Sequence, residues 1–323
     1  MINIIKNNFY RSLGMKNYMI TVFVITSVTI LFSVYFTSKI EMKSNIALVS
    51  SSQLIHANSK YLNIEQVKEI PKKYELVLNK YDAVVIDKGN GKFHIETIKS
   101  ENFKKSLEET LSGKKLSIYS ESEKRGNASN ILGFLLMFIL IEGIMLMRLF
   151  AEDRDDKIFE RIMYSPISIL SYVSAYLIFN FVLIYIPVMA ILILEKVILK
   201  VDIGFSLSVY AYLLALISIL STGFGIFMNS IVDNYDNCSS LSCSIIVLTS
   251  ILAGSFYSFK NDNYIFKALI NILPQKQYIT LVHGIEQGTS IVSQLFSLTY
   301  ILLSALMFIL IGSIVIMHHQ RNN

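Results

Sequence analysis

The chain is poor in charge. Only 16% of its 323 residues are Asp, Glu, Lys or Arg against 53% hydrophobic, and the mean hydropathy is +0.51. That balance excludes an ordinary soluble domain and places the chain among polytopic membrane proteins. Its two cysteines, Cys238 and Cys243, project to different faces of one apolar run. Neither a disulfide framework nor a metal or redox motif is available to them, and both read as small buried side chains. No GxxxxGK[ST] phosphate loop occurs, so the chain does not bind ATP in that manner. An intramembrane protease would need facing Ser/His, paired Asp or an HExxH helix; Asp233, Asp236, His318 and His319 do not supply one. Tryptophan is absent, and the richness in Ile, Asn and Lys is the composition of an AT-rich bacterial genome. The net charge of +5 is carried by loops and implies no nucleic-acid partner.

What is present is apolar sequence in long blocks. A spanning helix needs about 20 mostly apolar residues, and about six stretches qualify: Tyr18–Ser38, Ile131–Phe150, Ile169–Leu194, Phe205–Ile231, Ser239–Phe259 and Gln294–Met317. Lys6, Arg11 and Lys16 precede the first, which by the positive-inside bias sets the N-terminus in the cytoplasm. Alternation then puts residues 39–129 outside, 151–167 inside, 195–204 outside, 232–237 inside, 260–293 outside and the HHQRNN tail inside. The first run exceeds a signal-peptide core and no small-x-small site follows Ser38, so an uncleaved helix is expected. The predicted fold class is an α-helical polytopic membrane protein with six transmembrane helices and a small α/β extracytoplasmic domain between helices 1 and 2. Its segments are 1–38 (cytoplasmic N-terminus and helix 1), 39–129 (the extracytoplasmic domain) and 130–323 (helices 2–6).

Within the domain, IALVSSS from Ile46 and YELVLN from Tyr74 read as strands. YDAVVID and KFHIETI, separated by KGNG at Lys88–Gly91, read as a hairpin, because Asn-Gly supplies the positive φ angles of a tight turn. Asn102–Leu111 reads as a helix capped by Ser100 or Asn102. His56 and His94 are isolated and read as surface or packing residues. So small a domain has a thin core and is expected to lean on the membrane part or a partner copy.

Between the second and third apolar runs lies EDRDDKIFER, Glu152–Arg161, followed by Ile162, Met163, Tyr164, Ser165 and Pro166. Drawn as a helix, Ile158, Phe159, Ile162 and Met163 form one stripe and Asp153, Lys157, Glu160 and Arg161 fall elsewhere; Asp155 intrudes on the stripe, which leaves open a helix that begins after it. Pro166 ends the helix and redirects the chain into the third span. The element so predicted, residues 152–165, lies along the inner interface across the spans. By physics alone it equally fits an ordinary interfacial loop with solvated charges.

The string Glu160, Arg161, Ser165, Pro166, Ile167, Ser168, preceded by Glu152, resembles the Glu-Arg-x-x-x-Ser/Thr-Pro-hydrophobic-Ser segment of type-2 ABC transporter permeases, the exporter class. The order of one span, an outside domain and five further spans is also similar, as are the opening IALVSSSQLIHANSKYL, the LAGSFYSF end of the fifth span from Leu252, and Pro274. Lys157 departs from the glycine many members carry there. The resemblance implies a membrane-spanning permease subunit that is not itself an enzyme. A separate cytoplasmic ABC ATPase would hold ATP and Mg, and the permease itself would need no cofactor. Glu152, Arg154, Phe159, Glu160, Arg161, Ser165 and Pro166 would couple to that ATPase. A second permease copy or paralogue would complete the path, in a bacterial cytoplasmic membrane with both termini cytoplasmic. The apolar spans suit a hydrophobic or amphipathic cargo such as a peptide, lipid or drug. The alternative reading is a membrane sensory or assembly protein whose outside domain binds ligand.

Inside the spans, Glu142 is the one acid well within an apolar run, at an insertion cost of about 2.5–3.5 kcal/mol, and should face protein or water. It is either a substrate or gating contact at the subunit interface or a structural carboxyl, ionised or protonated, hydrogen-bonded to a neighbouring helix hydroxyl. Arg148 is expected to snorkel. Pro187 is expected to kink the third span. Ser221, Gly223, Gly225 and Gly254 are expected to permit close helix packing. The segment 260–293 is expected to form short helices dipping into the outer leaflet, like the family's re-entrant hairpin.

Overall fold

Alternating β-branched and aliphatic residues generate a four-stranded sheet: β1 Ser44–Val49, β2 Leu62–Gln66, β3 Ala83–Asp87 and β4 Phe93–Glu96, in the order β2-β1-β3-β4. The computed structural model describes residues 1–14, 16–39, 44–49, 62–67, 71, 76, 81–87, 93–97, 104, 107–108, 126–156, 158, 161, 168–198, 203–256, 264–289 and 291–322. Its contacts divide the chain into two units, 38–124 and the combination of 1–37 with 125–323.

In the smaller unit β1 runs parallel to both β2 and β3, and β3 pairs antiparallel with β4. The register sets Ile46 beside Ala83 and Val85 beside Ile95, so the period of two sorts side chains onto two faces. Ile46, Leu48, Ala83, Val85 and Ile95 pack with Leu107 on one; Ala47 and Val84 pack with Leu76 and Tyr81 on the other. Both faces are covered, as parallel strands require. The β3–β4 pair occupies the predicted hairpin, and its KGNG turn lies outside the described residues. The predicted strand at Tyr74–Asn79 is corrected: Leu76 is its one described residue, and it is helical and buried. The second parallel strand is instead Leu62–Gln66, whose polar residues hid it. Lys104, Leu107 and Glu108 are helical within the predicted helix, while Ser100, Asn102 and His56 lie outside the described residues.

The larger unit is helical. Its elements are α1 Ile2–Gly14, α2 Lys16–Lys39, α3 Asn127–Leu146, α4 Arg148–Asp155, α5 Ile169–Ile198, α6 Leu207–Ile231, α7 Tyr235–Ala253, α8 Tyr264–Asn271, α9 Pro274–Gln287 and α10 Ile291–Asn322. Among the described residues five helices are long and apolar enough to cross a membrane: Ala128–Asp155, Ile169–Ile198, Leu207–Ile231, Tyr235–Ala253 and Gln294–His318. The apolar stretch Val24–Ser33 within the 24-residue α2 supplies a sixth candidate. The protein is thus a helical membrane protein of five to six spans with a small sheet-containing region near its N-terminus.

The α3 and α6 spans form the centre, with 67% of each apolar window buried, against 33% or less for α5, α7 and α10. They meet closely because a Cβ on Gly143 would lie 2.8 Å from the Ser221 carbonyl, and one on Gly225 would lie 2.8 Å from the Gly143 carbonyl. Ser221 Oγ, freed to approach, donates to the Ile139 carbonyl at 2.6 Å. Gly223 serves the same end against Ala305 of α10. Gly254 does not: it ends α7 with φ +83°, the left-handed cap that glycine adopts without strain. The fifth span accordingly runs Tyr235–Ala253 rather than Ser239–Phe259, started by Asn234, whose side chain accepts from the Asn237 amide at 3.0 Å.

The third span continues through Pro187 to Ile198. Glu195, expected in a loop, is therefore part of a helix and only 3% exposed, with neither oxygen partnered among the described residues. Segment 260–293 contains α8 and α9, and Pro274 opens α9 at its first turn, where its missing amide is harmless. From α9, Glu286 reaches the start of α3, accepting from the Gly126 amide at 2.9 Å and from the Ser129 hydroxyl. It acts as an N-cap supplied from elsewhere in the chain.

Candidate functional site

Met147 has ψ 0° and closes a tight turn onto Ile144, after which α4 carries the second span on to Asp155. Asp156 caps α4. The start of the predicted 152–165 helix is corrected: Glu152 and Arg154 stand on the tail of the second span, because apolar Leu149, Phe150 and Ala151 keep α4 packed in the bundle. Beyond the cap, Ile158 and Arg161 are helical and Arg161 is exposed. Phe159, Glu160, Ser165 and Pro166 lie outside the described residues.

Asp153, which helical projection sets off the apolar stripe, is 3% exposed and central. Its carboxylate accepts from Arg11 of α1 at 2.5 Å and from the hydroxyls of Tyr172, at 3.0 Å, and Tyr176 on α5. The two tyrosines are one helical turn apart, so both hydroxyls converge on one acceptor. Phe150 closes the group with its ring 5.6 Å from that of Tyr176. Buried carboxylates persist only when paired and hydrogen-bonded, and three donors meet that need. Partial burial works against the Arg11 charge, but the Asp153 hydrogen bond and carboxylate outweigh it and raise the guanidinium pKa further.

Around this core the charges alternate. Arg11 also lies 3.7 Å from Glu152, which accepts from Arg148 at 2.8 Å. Arg148 in turn sits 5.7 Å over the Tyr235 ring at the start of α7, with its side chain 48% exposed. Arg154 turns the other way, donating to the carbonyls of Asn229 (2.5 Å), Val232 (3.2 Å) and Asp233. These are acceptors that the end of α6 leaves without intrahelical donors, and a cation there also suits the helix dipole. Four elements are thereby fastened at one point: α1, the tail of the second span, the start of α5 and the α6–α7 turn.

Of the predicted coupling residues this cluster contains Glu152 and Arg154, joined by Arg148. Sequence reasoning missed Arg11, Asp153, Tyr172 and Tyr176. The available signal was the i, i+4 tyrosine pair at the start of an apolar run together with an arginine on an amphipathic N-terminal segment.

Residues 114–287, just over half of the chain, match the family model of the ABC-2 type transporter. The chain belongs to the ABC-2 type transporter membrane family. No curated protein matches it. The matched segment includes the second span, the charged cluster on α4 and the helices through α9. As an ABC-2 membrane domain it is the transmembrane permease subunit, without ATPase activity of its own, in a family whose permeases pair with ABC ATPase subunits.

Glu142 lies apart from the cluster, on α3 within the bundle. It is 6% exposed and hydrogen-bonds Thr26 of α2.

Proposed function

We propose that this permease is the export subunit of an ATP-driven transporter in the bacterial cytoplasmic membrane, with both termini cytoplasmic and the charged cluster turned toward the ATPase. The observation that carries this reading is the fastening of four elements at Asp153 and Arg154. A push that reaches Asp153 and Arg154 passes into α1, α5 and the α6–α7 turn together. In this reading Glu152 and Arg154 hold the register of the segment, while Phe159, Glu160, Arg161, Ser165 and Pro166 make or position the contact with the ATPase. ATP and Mg are held by that subunit, and its closure tilts the spans. Two permeases, identical or paralogous, line the path. The lipid-facing apolar surface of α2, α5 and α10 suits a hydrophobic or amphipathic cargo: peptide, lipid or drug.

The test is gentle purification of the chain from its native membrane with mass-spectrometric identification of what accompanies it. A stoichiometric companion with a phosphate-binding loop, lost on Phe159→Ala with Arg161→Ala, is the expected result. Recovery without any ATPase, under conditions that keep other membrane complexes intact, would overturn the coupling reading in favour of a sensory or assembly role.

A further inference from the structure

Between α2 and α3 a cavity opens beside Glu142, walled by Ile25, Ile139 and Met145 and flanked by the hydroxyl-bearing Thr26 and Thr29. One carboxyl oxygen is engaged by Thr26; the other, Oε1, is buried with no partner among the described residues. The face that α2 turns inward is unusually polar for a span: Thr26, Thr29 and Ser33 are buried while Ile25, Val28, Leu31 and Phe32 are exposed. Among the described residues no ion pair neutralises Glu142. Glu142 lies six residues, about 9 Å along the helix, before Arg148, within the apolar part of the Ala128–Asp155 run.

An acceptor with one open position, next to a void with apolar walls, is complementary to a charged donor carrying a hydrocarbon substituent. A neutral alcohol or a water satisfies the geometry with one ordinary hydrogen bond. An ammonium group adds a charge-assisted bond in a medium of low dielectric and removes the penalty of an isolated carboxylate. The Thr26 and Thr29 oxygens retain lone pairs for its remaining protons. Ile25, at the mouth and 44% exposed, leaves the cavity approachable from the lipid side.

We propose that this cavity binds the protonated amine of a membrane-partitioned amphiphile, with Glu142 as counter-ion and Thr26 and Thr29 as acceptors. Its role in transport rests on the amphipathic-cargo reading above; the binding itself does not. The test therefore uses no ATPase: full-length chain in phosphatidylcholine nanodiscs, which offer no N–H donor, titrated with radiolabelled dodecylammonium and, as uncharged control, dodecanol. One saturable ammonium site is expected, weakened about tenfold by Glu142→Gln, the loss of one charge-assisted bond. Dodecanol uptake should be the same in both chains. Ile25→Trp, at the 44% exposed rim, should abolish saturable binding by covering the mouth. Loss of the site in phosphatidylethanolamine discs would support it and identify a lipid amine as its occupant. Ammonium uptake no greater than in empty discs, or undiminished by both Glu142→Gln and Ile25→Trp, would overturn the proposal. Failure here leaves companion-ATPase purification untouched, and the reverse.

Discussion

Replacing Asp153 by Asn keeps the shape of the side chain and an acceptor for the tyrosine hydroxyls but removes the charge that holds Arg11. A hydrogen bond to a charged group contributes about 1.5–3 kcal/mol, and Asp153 at 4% side-chain exposure retains most of that. Arg11 is 27% exposed, so solvent screening brings the expected loss to about 1.5–2 kcal/mol. Since about 1.4 kcal/mol is tenfold in an equilibrium, α1 should undock roughly 10 to 30 times more often. Hydrogen exchange on the full chain in nanodiscs reads this directly: amide protection in Ile2–Gly14 should fall by that factor while α3 and α6, the buried pair, keep theirs. Glu152→Gln is the control, because its 3.7 Å contact to Arg11 is half-exposed and should change α1 protection by less than about fivefold. Unchanged α1 protection in a folded Asp153→Asn chain would refute the view that this carboxylate docks the helix.

Arg154→Ala should free the carbonyls at the end of α6 and speed exchange around Val232–Cys238, while Arg154→Lys, a point charge without the planar fork, should restore part of the protection. Gly143→Ala sets a methyl 2.8 Å from the Ser221 carbonyl and should cost about 1–3 kcal/mol, seen as a lower midpoint in thermal scanning of the detergent-solubilised chain; no shift would show that α3 and α6 separate freely. Gly254→Ala, at φ +83°, should cost about 1–2 kcal/mol in the same assay. Glu286→Gln retains an acceptor and should be mild in thermal scanning, whereas Glu286→Ala leaves the Gly126 amide and Ser129 hydroxyl without their acceptor and should cost about 1–3 kcal/mol.

Apolar runs were legible because length and composition alone determine whether a helix can span a bilayer, and each of the six predicted runs overlaps helix in the structure. Their ends were less so. Glu195 reads as a loop residue until α5 is seen to carry it inside, and Ser239 reads as a start until Asn234 is seen to cap the helix five residues before. β2 was missed because LNIEQ has only two strongly apolar residues, and its place is fixed by pairing with β1 rather than by its own pattern. The second span and α4 were divided wrongly because charge was taken to mark the end of burial. Asp153 is charged and buried, and nothing in its neighbours' sequence reveals that two tyrosines some twenty residues on supply its partners. Arg11 served only as a topology signal, since a contact across 142 residues leaves no periodic trace.

Glu286 caps amides that precede it by 157 to 160 residues, and this fixes an order on biosynthesis. When the second span leaves the insertion machinery, its first turn has no acceptor of its own, and the carboxylate that will serve it has not been translated. Arg154 likewise waits for carbonyls at 229–233. Truncation before Glu286 should therefore yield an inserted but immature bundle, one that quality-control proteases distinguish from the finished subunit.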